Sequence, residues 1–280
     1  MGYEISEEQI GQIVKQVLSG MGGLEQAAKA DWDSTQYHGR KLIGIYEDMH
    51  DAIAAANEGY KAIRGMTVAE REKMIEEIRK LCRAEAEIMG KLGVAETGMG
   101  RADHKKLKHI LVADKTPGTE DIVTEAKTGD DGLTLVEMAP FGVVGAITPS
   151  TNPSETVICN SIGMIAAGNG VVFNPHPGAI ATSTYAVDLV NRACLAAGGP
   201  EVLVASVVKP TMDSAAVMEK DPAIRMLVCT GGPGVVRAVL SSGKKAIGAG
   251  AGNPPVIVDD TADIRKAAKD IIDGCTFDNN

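Results

Sequence analysis

Asn152 stands in the segment Thr148-Pro149-Ser150-Thr151-Asn152-Pro153-Ser154, where two prolines fix the backbone and one side-chain amide offers a pair of N–H donors. Such an amide can donate to an oxyanion developing on a carbonyl substrate. The same residue types also cap helices, and Asn152 or Ser154 would suit the start of a helix running through Thr156 to Ala167. A second rigid and polar segment, Asn174-Pro175-His176-Pro177, offers a place for an adenosine, although a histidine of this kind is as readily structural or solvent-exposed. In Cys229-Thr230-Gly231-Gly232-Pro233-Gly234-Val235-Val236 the glycines lead into a helix, so backbone amides and the helix dipole can meet a phosphate. Gly248-Ala249-Gly250-Ala251-Gly252-Asn253-Pro254-Pro255 allows a ligand to lie against bare main chain. Neither glycine-rich segment matches G-x-G-x-x-G, and no P-loop pattern occurs, so the ordinary nucleotide fingerprints are absent.

The elements that must hold these segments follow from periodicity. Short β-rich runs at Val143 to Ile147, Val171 to Phe173, Val202 to Val208, Met226 to Val228 and Val256 to Val258 alternate with segments of helical pattern. That alternation predicts βαβ units, hence an α/β fold with a Rossmann-like parallel sheet and helices on both faces. Ligands of such sheets bind beyond the carboxyl ends of the strands, where the segments above fall. Upstream, Tyr46 to about Leu111 reads as helices. One of them starts at Thr67, with Glu70 three residues on, and buries Met74, Ile78, Leu81, Cys82, Ile88, Met89 and Leu92. A turn at Gly129 to Gly132 precedes Leu133 to Met138, which alternates as an exposed hairpin strand. At the N-terminus, Ile10, Ile13, Val14, Val17, Leu18 and Met21 form one apolar stripe, with Ser6 and Gln9 as a capping box and Gly20, Gly22 and Gly23 as the break. Two readings of this amphipathic helix stay open: it docks on its own domain, or it is a tethered peptide that docks on another protein.

Composition excludes other classes. Acidic residues outnumber basic ones, 37 to 28, and the one short basic patch is Lys105-Lys106-Leu107-Lys108, so the field is wrong for wrapping nucleic acid. Five cysteines without a C-x-x-C pair indicate neither a disulfide framework nor a zinc site and fit a reduced cytoplasm. No apolar run approaches the ~18 residues of a spanning helix, and the acidic N-terminus does not read as a signal peptide.

Taken together, the segments beginning at Thr148, Val172, Cys229 and Ala246 resemble the aldehyde dehydrogenase superfamily and, more narrowly, its CoA-acylating branch. That branch includes stand-alone enzymes of bacterial microcompartments and the N-terminal half of bifunctional aldehyde-alcohol dehydrogenases. The resemblance runs from about Tyr46 and implies a division into an amphipathic helix at 1–22, a linker at 23–40 and an NAD-binding domain at 41–280, with about 128–140 in an oligomerisation hairpin. It implies that Asn152 helps to hold the substrate oxyanion and that Thr148, Pro149, Ser150 and Thr151 line the nicotinamide side. Asn174, His176 and Pro177 match the wall around the adenosine, and Asn174 replaces a lysine found in many hydrolytic relatives. Thr230, Gly231, Gly232 and Val235 match the pyrophosphate region, and Thr211 and Gly250 join the cofactor-binding set. Gly248 stands where hydrolytic members carry the glutamate that activates water; without that base a thioester intermediate waits for a thiol, and CoA is the natural acceptor. The family nucleophile is a cysteine shortly after a stretch like Phe277-Asp278-Asn279-Asn280, so it is expected beyond this chain together with the catalytic domain, while Cys275 is expected to be packed. By this resemblance the complete enzyme attacks a short-chain aldehyde with its thiolate, passes hydride to NAD⁺ and gives the acyl group to CoA. It is further expected to be a cytoplasmic homo-oligomer without membrane or nucleic-acid partners, with residues 5–21 docking on a microcompartment shell. The competing expectations are a non-catalytic nucleotide-binding or cargo fragment docking on a microcompartment shell, and the N-terminal part of a bifunctional aldehyde-alcohol dehydrogenase.

Overall fold

The computed structural model describes residues 34–250, 252 and 254–279, so the apolar stripe from Ile10 to Met21 lies outside the described residues. Within the stretch read as a linker, β1 (Gln36–Tyr37) and β2 (Arg40–Lys41) form an antiparallel ribbon. The chain then enters the main sheet at β3 (Ile45–Tyr46). Helix α1 (Met49–Ile63) starts at Asp48, whose carboxylate accepts from the His50 N–H at 2.7 Å. Helix α2 (Val68–Thr97) has the expected capping box at Thr67 and Glu70 and ends at Gly98, whose φ of 67° a side chain would resist. It buries Met74, Ile78, Cys82, Met89 and Leu92, whereas Leu81 is half-buried and Ile88 reaches solvent. At 100° per residue Ile88 is turned roughly 120° from Cys82, which corrects its placement on the buried face. Helix α3 (Ala102–Lys115) packs against α2 and leads to the hairpin β4 (Glu125–Gly129) and β5 (Gly132–Val136), exposed along its whole length.

The remaining chain alternates strand and helix as the apolar runs predict. The elements are β6 (Val143–Ile147), α4 (Pro153–Ala166), β7 (Gly170–Asn174), α5 (Ile180–Ala196), β8 (Val204–Val207), α6 (Met212–Lys220), β9 (Ile224–Thr230), α7 (Pro233–Leu240), β10 (Lys245–Ala249) and α8 (Ile264–Thr276). Six strands pair in parallel in the order β10-β9-β6-β7-β8-β3. Adjacent residues of one strand point to opposite faces, so Val171 and Phe173 join the core under α2, α4 and α5, and Val172 joins the core under α1, α6 and α7. The chain runs outward from β6 through β7 to β8 and then returns to the other side of β6. That reversal opens a crevice between the carboxyl ends of β6 and β9.

Two further expectations are corrected. Val256 to Val258 forms no strand, and Ile257 is 93% exposed, because none of the described strands pairs with it. The last strand is instead β10, which pairs with β9 from Lys245 opposite Met226 to Ala249 opposite Thr230. Only one large apolar residue, Ile247, marks it in the sequence, so periodicity hides it. Cys275 is exposed instead of packed, because α8 buries none of its residues among the described ones. Cys82, by contrast, is core: burial pushes its thiol up to about 12, and its Sγ donates to the His109 carbonyl at 3.3 Å.

The N-terminal ribbon is tied to α5 by charge. Asp188, fully buried, accepts two bonds of 2.7 Å from Arg40, one of 3.0 Å from the Ile43 N–H and one of 2.8 Å from Arg192. Arg192 also reaches both oxygens of Glu85, at 2.9 and 2.7 Å, and Tyr185 donates to Glu85 at 2.7 Å. Burial works against both carboxylates, but the donors win: Arg40, Ile43 and Arg192 hold Asp188, and Arg192 and Tyr185 hold Glu85, below the usual carboxylate range. Groups whose pKa is lower folded than unfolded stabilise the fold fully at neutral pH, and that contribution is lost as pH falls from about 4 through the folded values. Urea midpoints are therefore expected to change little from pH 7 to about 5 and to drop by about pH 3. A flat profile would contradict the role of these carboxylates.

Candidate active site at the strand ends

The loop after β6 delivers Asn152 to the edge of the crevice. Asn152 occupies the N-cap position of α4, with φ −137° and ψ 61°, yet its side chain makes no capping bond. Its main-chain carbonyl instead accepts from the Thr156 N–H at 3.0 Å and the Thr156 hydroxyl at 2.6 Å. The Asn152 Oδ1 accepts from Lys108 Nζ. Ser154 does not cap either: its hydroxyl lies 2.7 Å from His109 Nε2, in a buried cluster with Glu155. Of the two uses open to Asn152, the side-chain cap is therefore not the one adopted. Its second amide atom, Nδ2, carries two protons toward other partners.

Two adjoining hollows fill the crevice. The larger, about 670 Å³, is lined by Pro149, Ser150, Thr151, Asn152, His176, Thr230, Gly231, Gly232 and Gly250, with Thr156 and Gly252. The smaller, about 150 Å³, is lined by Thr148, Asn174, Pro177, Thr211 and Val235 together with Pro149, His176 and the Thr230 to Gly232 turn. Gly248 alone of the expected site residues stands outside both. It is a β10 residue opposite Cys229, and a Cβ there would meet Val236 Cγ1 at 2.8 Å and Leu240 Cγ at 3.3 Å. Its face is turned to α7.

The polar groups of the smaller hollow are held from behind. Asn174 Oδ1 accepts from the Ser214 hydroxyl at 2.7 Å, and its amide donates to the Thr211 carbonyl at 3.4 Å. Thr211 and Ser214 form the capping box of α6. His176 Nδ1 accepts from the Gly178 N–H at 3.0 Å, which fixes the orientation of the ring. The Thr148 hydroxyl is buried and has no hydrogen-bond partner, a vacancy a polar ligand atom could satisfy. Around Gly231 and Gly232 a Cβ would meet nothing, the Gly231 N–H donates to the Ala249 carbonyl at 3.2 Å, and Pro233 opens α7 directly afterwards, so a ligand can come close to the main chain at this helix N-terminus. These features fit a dinucleotide laid across the ends of β6, β7 and β9.

Chemically the crevice is as notable for what does not line it. No acidic side chain and no cysteine is among the described residues lining either hollow. Burial pushes the Cys229 thiol up and the Cys194 thiol up to about 12, so neither is a ready thiolate. Among the described residues no cluster of His, Cys, Asp and Glu could hold a metal, and no helix is long and apolar enough to cross a membrane. The sequence reading missed Lys105, Lys108 and Asp278, which meet beside Asn152. The two lysines read as part of a solvated basic run. The available signal was their spacing of three on a helix, which puts both on one face.

Comparison with known proteins assigns the family. The model of the aldehyde dehydrogenase family matches residues 41–279. The chain is 45% identical, over 99% of its length and 57% of the relative's, to the acetylating acetaldehyde dehydrogenase EutE of Salmonella typhimurium. It is 45% identical, over 85% of its length and 51% of the relative's, to the CoA-propanoylating propanal dehydrogenase of Citrobacter freundii. Among solved structures, a propionaldehyde dehydrogenase from the fucose utilisation bacterial microcompartment of Clostridium phytofermentans superposes with a TM-score of 0.83 at 62% identity, over 85% of this chain and 55% of that one. A propionaldehyde dehydrogenase of Rhodopseudomonas palustris with bound CoA and an acylated cysteine gives 0.81 at 52% identity, over 84% and 54%. The chain thus spans a little over half the length of these relatives. Family match, parallel-sheet topology and strand-end crevice together place the chain in the aldehyde dehydrogenase family.

Proposed function

We propose that this chain is the dinucleotide-binding portion of a CoA-acylating aldehyde dehydrogenase, which oxidises a short-chain aldehyde with NAD⁺ and releases an acyl-CoA. The observation that carries the reading is that no carboxylate lines either hollow among the described residues, since a thioester can be hydrolysed at a useful rate only when a base activates water. A thiol, already part-ionised near neutral pH, needs less help, so CoA takes the acyl group. The relatives above, named for acetylating and propanoylating activities, support the same acceptor.

In this reading Gly231, Gly232 and the first turn of α7 hold the pyrophosphate. Thr148, Asn174, His176, Pro177, Thr211 and Val235 wall the adenosine side, and Pro149, Ser150, Thr151 and Gly250 face the nicotinamide side. When bound, NAD⁺ supplies the hydride acceptor. Asn152 donates from Nδ2 to the oxygen of the substrate as it gains charge, once when a cysteine outside the described residues adds to the aldehyde and again when CoA adds to the thioester. In the complete enzyme carrying this chain, propionaldehyde should reduce NAD⁺ only when CoA is present. Reduction at equal rate without CoA would overturn the acylating assignment.

The exposed hairpin of β4 and β5, with Leu133, Leu135 and Met138 each more than 60% exposed, suits a homo-oligomeric contact. The microcompartment named for one relative supports a location within such a compartment in the cytoplasm, with residues 5–21 proposed as the segment that docks on the shell. Deleting residues 1–22 should then abolish co-localisation with shell protein; unchanged co-localisation would reject that role.

A further inference from the structure

Three segments far apart in sequence converge on one carboxylate beside the crevice. Asp278, 2% exposed, follows α8 with φ 60°, in the left-handed region. Its Oδ1 accepts from the Arg101 N–H at 3.1 Å, and its Oδ2 accepts from Lys105 Nζ at 3.2 Å and from Lys108 Nζ. Its own N–H donates to His104 Nδ1 at 2.8 Å, and the His104 ring stacks on Phe277 with centroids 4.7 Å apart and planes 9° from parallel. Gly100 packs so tightly here that a Cβ would stand 2.4 Å from Asp278 Oδ1. From this hub both ammonium groups reach the loop after β6: Lys105 Nζ donates to the Thr151 carbonyl at 2.8 Å, and Lys108 Nζ to Asn152 Oδ1.

The chemistry of that last contact is one-sided. An ammonium has donors and no acceptor, so the Asn152 atom facing it must be the carbonyl oxygen. A flip of the amide would set two N–H groups against a cation. The charge on Lys108 also draws electron density toward Oδ1 and so strengthens the two N–H donors on Nδ2. Lys105 is the member that ties the loop backbone; Lys108 is the one that touches the amide.

We propose that Lys108, itself held by Asp278, is a positioning residue that locks the Asn152 amide with its N–H pair presented to the larger hollow. The proposal rests on the functional reading above in taking Asn152 as the oxyanion donor. The cluster also sets the segment containing Phe277 and Asp278 beside that donor, so the two are registered to each other through α3.

Two readouts separate this inference from the functional reading. Asparagine-selective ¹⁵N labelling of the chain gives the Asn152 side-chain amide signals, assigned by their loss in Asn152→Ala. Lys108→Met should shift and broaden them, and Lys108→Arg, which keeps a charged donor at Oδ1, should largely restore them. Unmoved signals in Lys108→Met overturn the proposal whether or not the enzyme oxidises aldehydes. In the complete enzyme Lys108→Met should lower kcat by about 10-fold to 10²-fold, less than loss of the donor itself, with KM for NAD⁺ unchanged. It should lower kcat no further in an Asn152→Ala background, whereas losses that multiply in the double variant would show that Lys108 acts elsewhere. If Lys108→Met alone does not fold, Lys108→Met with Asp278→Asn removes both charges of the pair and carries the same readouts. An inactive native enzyme would count against the functional reading and leave the amide signals to decide the role of Lys108.

Discussion

Replacing Asn152 with alanine is expected to lower kcat for aldehyde oxidation by about 10²–10³-fold, the loss typical of removing one oxyanion donor, while NAD⁺ affinity stays within about twofold. The fold should survive the change. The Asn152 side chain does not cap α4, and the main-chain carbonyl that accepts from Thr156 is untouched by truncation at Cβ. Lys108 keeps its ion pair with Asp278. The defect should therefore appear in kcat and in kcat/KM for aldehyde together, which marks an interaction made in the transition state. Asn152→Asp, which replaces the donor pair with acceptors, should be at least as slow. Steady-state kinetics of both variants, with thermal unfolding as a control, check this; a kcat within about fivefold of native would remove Asn152 from the chemistry.

The second expectation concerns stability. Asp188→Ala is expected to cost about 3–5 kcal/mol, because it strips a fully buried carboxylate from between two guanidinium groups. Two features place the value toward the lower end. Arg40 has a side chain 44% exposed and can rehydrate, and Arg192 keeps its two bonds to Glu85. What cannot be replaced is the bond from the Ile43 N–H, which joins the entry to β3 to the middle of α5. Loosening should therefore be concentrated in residues 36–46. Urea unfolding gives the magnitude and hydrogen exchange gives the location. A loss below about 1 kcal/mol, the range of surface ion pairs, would show that the cluster behaves as a solvated one.

These two sites differ in how readily the sequence discloses them. Asn152, the Thr230 to Gly232 turn and the Asn174 to Pro177 segment could be read because parallel strands buried on both faces write themselves as apolar runs, and ligands gather where those runs end. The runs at β6, β7, β8 and β9 were of this kind. Strand β10 was not, since three of its five residues face solvent and the other two are an alanine and a glycine. The run at Val256 to Val258 has a strand's composition without a described neighbour to pair with. The hub at Asp278 was hidden for a different reason: its bonds span 170 to 177 residues, and no local pattern encodes such a contact. The packing expected of Cys275 came from the resemblance, which sets a small residue at this position, and α8 buries none of its residues among the described ones.

Gly248 ties the chemistry to the fold. Its missing side chain faces α7 at a distance that leaves no room for even a Cβ without displacement of Val236, so this position supplies neither a carboxylate nor space for one. On the proposed function, the fate of the acyl group is then decided by which nucleophile arrives without help. The most direct measurement is product analysis by mass spectrometry after propionaldehyde oxidation by the complete enzyme in ¹⁸O-labelled water, with and without CoA. Propionyl-CoA equimolar with NADH, and almost no labelled propionate in its absence, is the predicted result. Labelled propionate accumulating as fast as NADH when no thiol is present would contradict it.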